Sequence, residues 1–179
     1  MSNLKEVFLS REDKFQGRVV SVHVDQVLLP NGRQSFREVV DHNGGVAIVA
    51  LDDDNCVLTV TQYRYVFGRE VLEIPAGKLE RGEYPVSAAL RELREETGAY
   101  PDEFLPLGTV LPSPGCFGET LHLFLARGLH FGEARPDEDE FLKLERIPFD
   151  EMVRRILSGR ISDGKTVAGI LKAKLLLNL

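Results

Sequence analysis

Three glutamates, Glu92, Glu95 and Glu96, crowd into little more than one turn of a segment with clear helix boundaries. Pro85 suits a first helical turn, and Gly98 is the residue type favoured just past a C-terminus. Between them Val86, Ala89, Leu90, Leu93 and Thr97 recur at helical spacing, which predicts one core-facing stripe. At roughly 100° per residue, Glu92 and Glu96 fall beside that stripe and Glu95 points further round, toward Arg91. Glu92 and Glu96 are like charges at i, i+4, a pairing that costs an isolated helix about 0.2 to 0.5 kcal/mol and raises both pKa values. Left in water, such a pair is a hydrated charged face. Aimed into a cleft, the same pair supplies hard oxygen ligands for Mg²⁺ or Mn²⁺, while Arg91 and Glu95 make an i, i+4 ion pair.

Strands fill most of the chain before this helix. FQGRVVSVHVDQVLL alternates Val20, Val22 and Val24 with polar neighbours, and Asn31-Gly32 supplies the residues favoured where a hairpin needs positive φ, so residues 15 to 40 are expected to form a β-hairpin. VAIVALD and VLTVTQYR, joined across Asp52 to Asn55, are expected to form a second hairpin, with VLEIPAG as a further strand ended by Pro75 and Gly77. Beyond the helix FLPLGTV, TLHLFLA and FLKLERI are predicted strands. FDEMVRRILSG and TVAGILKAKLLL have helical periodicity with basic residues toward their ends. The expected fold is a mixed sheet with helices packed against it.

Composition removes several function classes. The 22 Lys and Arg against 28 Asp and Glu leave a net charge of −6, which repels a polyanion, so no nucleic-acid partner is expected. No apolar run approaches the roughly 20 residues that span a bilayer, and the first residues lack the apolar core of a signal peptide. The expectation is no membrane and a cytoplasmic location. Two cysteines, Cys56 and Cys116, give neither a disulfide framework nor a zinc site, and the four histidines do not fall at metal-ligand spacing.

From Gly77 to Ala99 the chain reads GKLERGEYPVSAALRELREETGA, which resembles the Nudix box: Gly, five residues, Glu, seven residues, then Arg-Glu-apolar-any-Glu-Glu-any-Gly-apolar. Gly77, Glu83, Arg91, Glu92, Glu95, Glu96 and Gly98 meet its glycine and polar positions and Leu93 its first apolar one, while Ala99 is smaller than the usual last residue. The resemblance implies an α+β protein, a Nudix-like α/β/α sandwich with a mixed sheet over residues 41–179. Before it, residues 1–40 would form an antiparallel β layer that serves dimerisation and the substrate site. It also implies a divalent-cation hydrolase acting on nucleoside diphosphates linked to another moiety. Carried over, Glu92, Glu96 and the Ala76 carbonyl become metal ligands, Glu95 an auxiliary ligand or Arg91 partner, and Glu83 a brace for the loop.

The segments FREVVDHNGGVAIVALDD, VTQYRYVFGREVLEIPAGK and LPSPGCFGETLHLFLARGL, with Pro114 fifteen residues beyond Ala99, resemble the ADP-ribose pyrophosphatase branch of that family. The implied reaction is Mg²⁺-dependent hydrolysis of ADP-ribose to AMP and ribose 5-phosphate by a homodimer. The rivals are cleavage of another nucleotide sugar such as GDP-mannose and a sensor that binds a nucleotide sugar without cleaving it. Arg64 is a candidate for a bidentate phosphate contact. Arg37 and Glu70 are candidates for phosphate or adenine, Phe36 for base stacking unless it packs in the core, and Pro114, Gly115 and Glu119 for a substrate loop. In the acidic run Asp137 to Glu140, Glu138 or Glu140 is the expected general base, with Glu138 preferred.

Overall fold

The computed structural model describes residues 4–135 and 140–179. They divide into two compact units, one formed by the described residues up to Gly44 with Leu111–Thr120, the other by Gly45–Val110 with Leu121–Leu179.

In the first unit β1 (Val7–Gln16), β2 (Val20–Leu28) and β3 (Gln34–His42) form an antiparallel sheet in that order. The β2–β3 hairpin keeps an unbroken register from Val20 opposite His42 to Leu28 opposite Gln34. It turns where Gly32 adopts a φ of 79°, as the Asn31-Gly32 pair leads one to expect. The buried members of β2 are His23 and Val27. His23 lies between two carboxylates, Nδ1 2.9 Å from Asp25 and Nε2 3.1 Å from Asp41. The outer strand β1 falls within the antiparallel layer that the resemblance implies for residues 1–40, but outside the hairpin expected over residues 15 to 40. Every residue of it is exposed, so it carries no buried-face periodicity to read. The 111–120 loop is fastened to β3: the Val40 N–H donates to the Cys116 carbonyl and the Gly118 N–H to the Val40 carbonyl, both at 2.8 Å.

The second unit contains β4 (Gly45–Ala50), β5 (Cys56–Arg64), β6 (Arg69–Glu73), β7 (Ala76–Lys78), α1 (Pro85–Thr97), β8 (Ala99–Val110), β9 (Leu121–Phe131), β10 (Lys143–Pro148), α2 (Phe149–Leu157) and α3 (Gly164–Leu177). A four-stranded sheet runs β7-β4-β9-β8, with β4 and β9 parallel and the outer pairs antiparallel. A three-stranded antiparallel sheet runs β10-β5-β6. Helix α1 closes one side over Val46, Ile48, Leu58 and Phe124, and α2 with α3 closes the other over Val49, Val57, Ile74 and Leu125. This is the expected α/β/α sandwich with a mixed sheet. No helix among the described residues is long and apolar enough to cross a membrane.

The hairpin expected between VAIVALD and VLTVTQYR does not form. The two segments meet at one bridge, Leu51 with Val57, and at the Asp52 N–H to Cys56 carbonyl bond, after which β4 and β5 enter different sheets. All of β4 is buried, as suits a strand flanked on both edges, and β7 and β9 take those edges.

Candidate active site

Helix α1 begins at Pro85 and stops at Gly98, whose φ of 71° is the left-handed cap and whose N–H bonds the Arg94 carbonyl at 2.8 Å. Its buried face is rotated from the expected stripe. Val86 and Leu90 are exposed, whereas Ala88, Ala89, Glu92, Leu93, Glu96 and Thr97 are buried. The two glutamates therefore belong to the inward face itself, with Glu92 8 % and Glu96 4 % exposed.

The segment that closes over them is β7, held against β4 with Ala47 opposite Ala76 and Val46 opposite Gly77. The Ala76 N–H donates to Glu96 Oε2 at 3.1 Å. Gly77 is needed for proximity rather than for its backbone angles: a Cβ there would run into the Glu92 carboxyl group. Burial, set against that one backbone bond and reinforced by the charges of Glu92 and Glu140, pushes the Glu96 carboxyl up to about 8. Glu92 is also raised, by burial first, against the pull of Arg91.

Arg91 gathers the remaining acids of this turn. Its Nε and Nη2 bond the two oxygens of Glu83 at 3.1 Å, and its Nη1 reaches Glu92 and Glu95, both at 2.9 Å. Glu83 in turn accepts the Glu80 N–H at 3.0 Å, so it does brace the loop before the helix, and Arg91 holds its carboxyl below the usual range. The i, i+4 pair between Arg91 and Glu95 forms as the spacing predicts.

The donor chemistry suits a hard divalent cation: two carboxylates are taken out of water on one helical face, and the deeper one has a backbone N–H in place of a countercharge. Among the described residues no three His, Cys, Asp or Glu side chains converge as metal ligands, and Glu92 and Glu95 each give one oxygen to Arg91. Arg91 takes only Oε1 of Glu92, which leaves Oε2 to join Glu96 on a cation with the Arg91 contact intact.

The chain that leads to the acidic run starts beside this turn. The Gly132 N–H bonds the Gly98 carbonyl and the Arg135 N–H bonds the Glu95 carbonyl, both at 2.8 Å. Glu138 lies outside the described residues. Glu140 is exposed, and its charge raises both Glu92 and Glu96, which places its carboxylate within electrostatic reach of the pair. A cavity of about 790 Å³ lies along Arg91, Arg94, Glu95 and Tyr100 and leaves out Glu92 and Glu96, so volume does not mark this chemistry.

Among the other candidates, Arg64 ends β5 with its Nε and Nη2 on the two oxygens of Glu73, each at 2.6 Å, and Glu70 is exposed on β6. In the first unit Phe36 is exposed rather than packed in a core. Arg37 bonds the Phe36 carbonyl at 2.8 Å and pairs with Glu6. Pro114 and Gly115 are exposed in the 111–120 loop, and Glu119 lies 3.5 Å from His42 Nδ1. The sequence reading passed over Glu73 and Lys165. Glu73 is 2 % exposed and is held by Arg64 and by Lys165 of α3. The available signal was an acid at the end of β6 flanked by Val71, Leu72 and Ile74, an apolar setting that demands a buried countercharge.

A family model described as NUDIX domain matches residues 41–168. A protein of Bacillus methanolicus named methanol dehydrogenase activator is 45 % identical over 168 residues, 93 % of this chain and 91 % of its own length. The ADP-ribose pyrophosphatase of Bacillus subtilis (strain 168) is 39 % identical over 172 residues, 95 % of this chain and 93 % of its own. The crystal structure of an ADP compounds hydrolase superposes with a TM-score of 0.86 over 97 % of this chain and 95 % of that one at 23 % identity, a likeness of fold.

Proposed function

The chain belongs to the NUDIX family and is a hydrolase of that family, and from that premise we propose that it hydrolyses ADP-ribose to AMP and ribose 5-phosphate with Mg²⁺. The observation that carries the reading is the buried pair Glu92 and Glu96 on the box helix, pressed against Gly77 and the Ala76 N–H. The substrate is supported by the 39 % identity to an ADP-ribose pyrophosphatase across nearly the whole of both chains.

Glu92, Glu96 and the Ala76 carbonyl would hold the cation, with Glu95 as auxiliary ligand or Arg91 partner. When bound, the ion screens the diphosphate and lowers the pKa of coordinated water. Arg91 keeps Glu83, Glu92 and Glu95 ordered around one guanidinium. Arg64 offers N–H groups to the diphosphate, and Glu138 or Glu140 takes the proton of the attacking water. Water oxygen bonds one phosphorus, the bridging P–O bond breaks, and the second phosphate leaves with its oxygen. Phe36, Arg37, Glu70, Pro114, Gly115 and Glu119 would contact the nucleotide, in a homodimer built through the N-terminal strands.

The test is AMP release from ADP-ribose, and nucleotide release from GDP-mannose and other nucleotide sugars, with and without Mg²⁺. Preference for ADP-ribose, lost by about 10³-fold in Glu96→Gln, is the expected result. Preference for GDP-mannose overturns the substrate, and binding without cleavage of any compound overturns catalysis in favour of a sensor. The 45 % identity to a methanol dehydrogenase activator favours a second reading, activation of such a dehydrogenase. Dehydrogenase rates measured with the wild-type chain and with Glu96→Gln read it directly.

A further inference from the structure

The first turn of α3 is tied to the strand end that precedes β7 by two contacts, which share a cap within the helix. Asp163 caps the helix, accepting the Thr166 N–H at 3.0 Å and the Thr166 hydroxyl at 2.6 Å. The Thr166 oxygen accepts the Ile74 N–H at 2.9 Å, fixing the backbone next to Glu73. Lys165, with a side chain 11 % exposed, places its ammonium on Glu73 Oε2 and on Asp163 Oδ1, the latter at 3.0 Å. Helix and strand are in close contact beyond these bonds, since a Cβ at Gly169 would lie 3.0 Å from both Ile74 and Val49.

The same carboxylate also holds Arg64, whose Nη2 shares Oε2 with Lys165. A guanidinium has five N–H groups, and Glu73 takes two of them, one from Nε and one from Nη2. The Nη1 group and the second Nη2 hydrogen remain, and the Arg64 side chain is 40 % exposed. Glu73 alone would present one buried charge against one cation and could rotate with it. With the ammonium seated on Oε2, the plane of the carboxylate is set from the helix side, and a bidentate pair passes that plane on to the guanidinium.

We propose that Lys165 is a positioning residue for Arg64: through Glu73 it orients the guanidinium so that its unused N–H edge faces the diphosphate of the substrate. The inference rests on the nucleoside-diphosphate reading above and assigns Lys165 no contact with substrate. A lysine that only stabilises the fold would lower the melting temperature without touching affinity, or would weaken affinity whatever stands at position 64.

The experiment is a double-mutant cycle of Lys165→Met and Arg64→Met, read as KM and kcat for ADP-ribose with Mg²⁺ and as Kd for ADP in EDTA, with a thermal melt of each variant. Lys165→Met is expected to raise KM and Kd about tenfold and to change kcat less than about twofold, with Lys165→Arg recovering most of the loss. In the Arg64→Met background the same substitution should add less than about twofold. Unchanged KM and Kd in Lys165→Met overturn the proposal, as does a full loss repeated in the Arg64→Met background. If Lys165→Met does not fold, Lys165→Gln is read by the same criteria. A wild-type chain that cleaves no nucleotide sugar defeats the functional reading alone, because the ADP binding cycle still reports whether Lys165 acts through Arg64.

Discussion

At the scale of single residues, the decisive feature is a carboxylate with too few partners. Glu96 titrates near 4.5 when unfolded and at about 8 in the native state. Between those values the folded protein keeps a proton that the unfolded chain has lost, so this contribution to stability is complete below pH 4.5 and disappears as pH rises through about 8. The melting temperature of the metal-free protein should accordingly fall between pH 5 and pH 8.5, by on the order of 10 °C. Glu96→Gln should flatten that dependence, and Mg²⁺ should recover the lost stability of the wild type at pH 8. Calorimetry of both proteins across that range checks the sign, and a pH-independent wild type contradicts it. These residues were legible in the sequence because a glycine, a glutamate and the Arg-Glu run stand at fixed spacing. Glu73 and Lys165 were not, since 92 residues separate them and only the packing of α3 on Ile74 joins them.

At the scale of elements, pattern and outcome part company where burial is not apolar. Of the stripe Val86, Ala89, Leu90, Leu93 and Thr97 expected from helical spacing, Ala89, Leu93 and Thr97 are buried, yet α1 turns Glu92 and Glu96 inward and leaves Val86 and Leu90 exposed. A site that needs buried charge rotates the helix against its own periodicity. Its boundaries were readable, since Pro85 and Gly98 act through local backbone geometry. The β4–β5 connection was misread because turn chemistry at Asp52 to Asn55 fixes a reversal, not the sheet each strand then joins. Helix α3 offers an element-scale test. Asp163→Ala removes the cap to Thr166 and a bond to Lys165, and should cost about 1 to 2 kcal/mol, or about 2 to 8 °C, in a melt. A melt identical to wild type would show that this turn is held by packing alone.

At the scale of the whole molecule, the fold class was legible because strands and helices alternate in clear periods through residues 41 to 179, whereas β1, fully exposed, carries no periodicity of its own and follows only from the resemblance. That exposure also supports the proposed homodimer. Val7, Phe8, Leu9 and Phe15 stand open on a strand that, among the described residues, pairs only with β2, and large apolar side chains in water on one edge favour association. Light scattering after size-exclusion chromatography should give twice the 20.0 kDa chain mass, and Phe8→Asp with Phe15→Asp should shift the mass toward that of one chain. A monomeric wild type would refute the assembly.

Arg91 grips Glu92 and Glu95 on the turn that is proposed to coordinate the ion. The protein thereby carries a placeholder of its own: a tethered guanidinium neutralises one oxygen of each of these acids, so in magnesium-poor conditions the turn stays ordered with the remaining oxygens free.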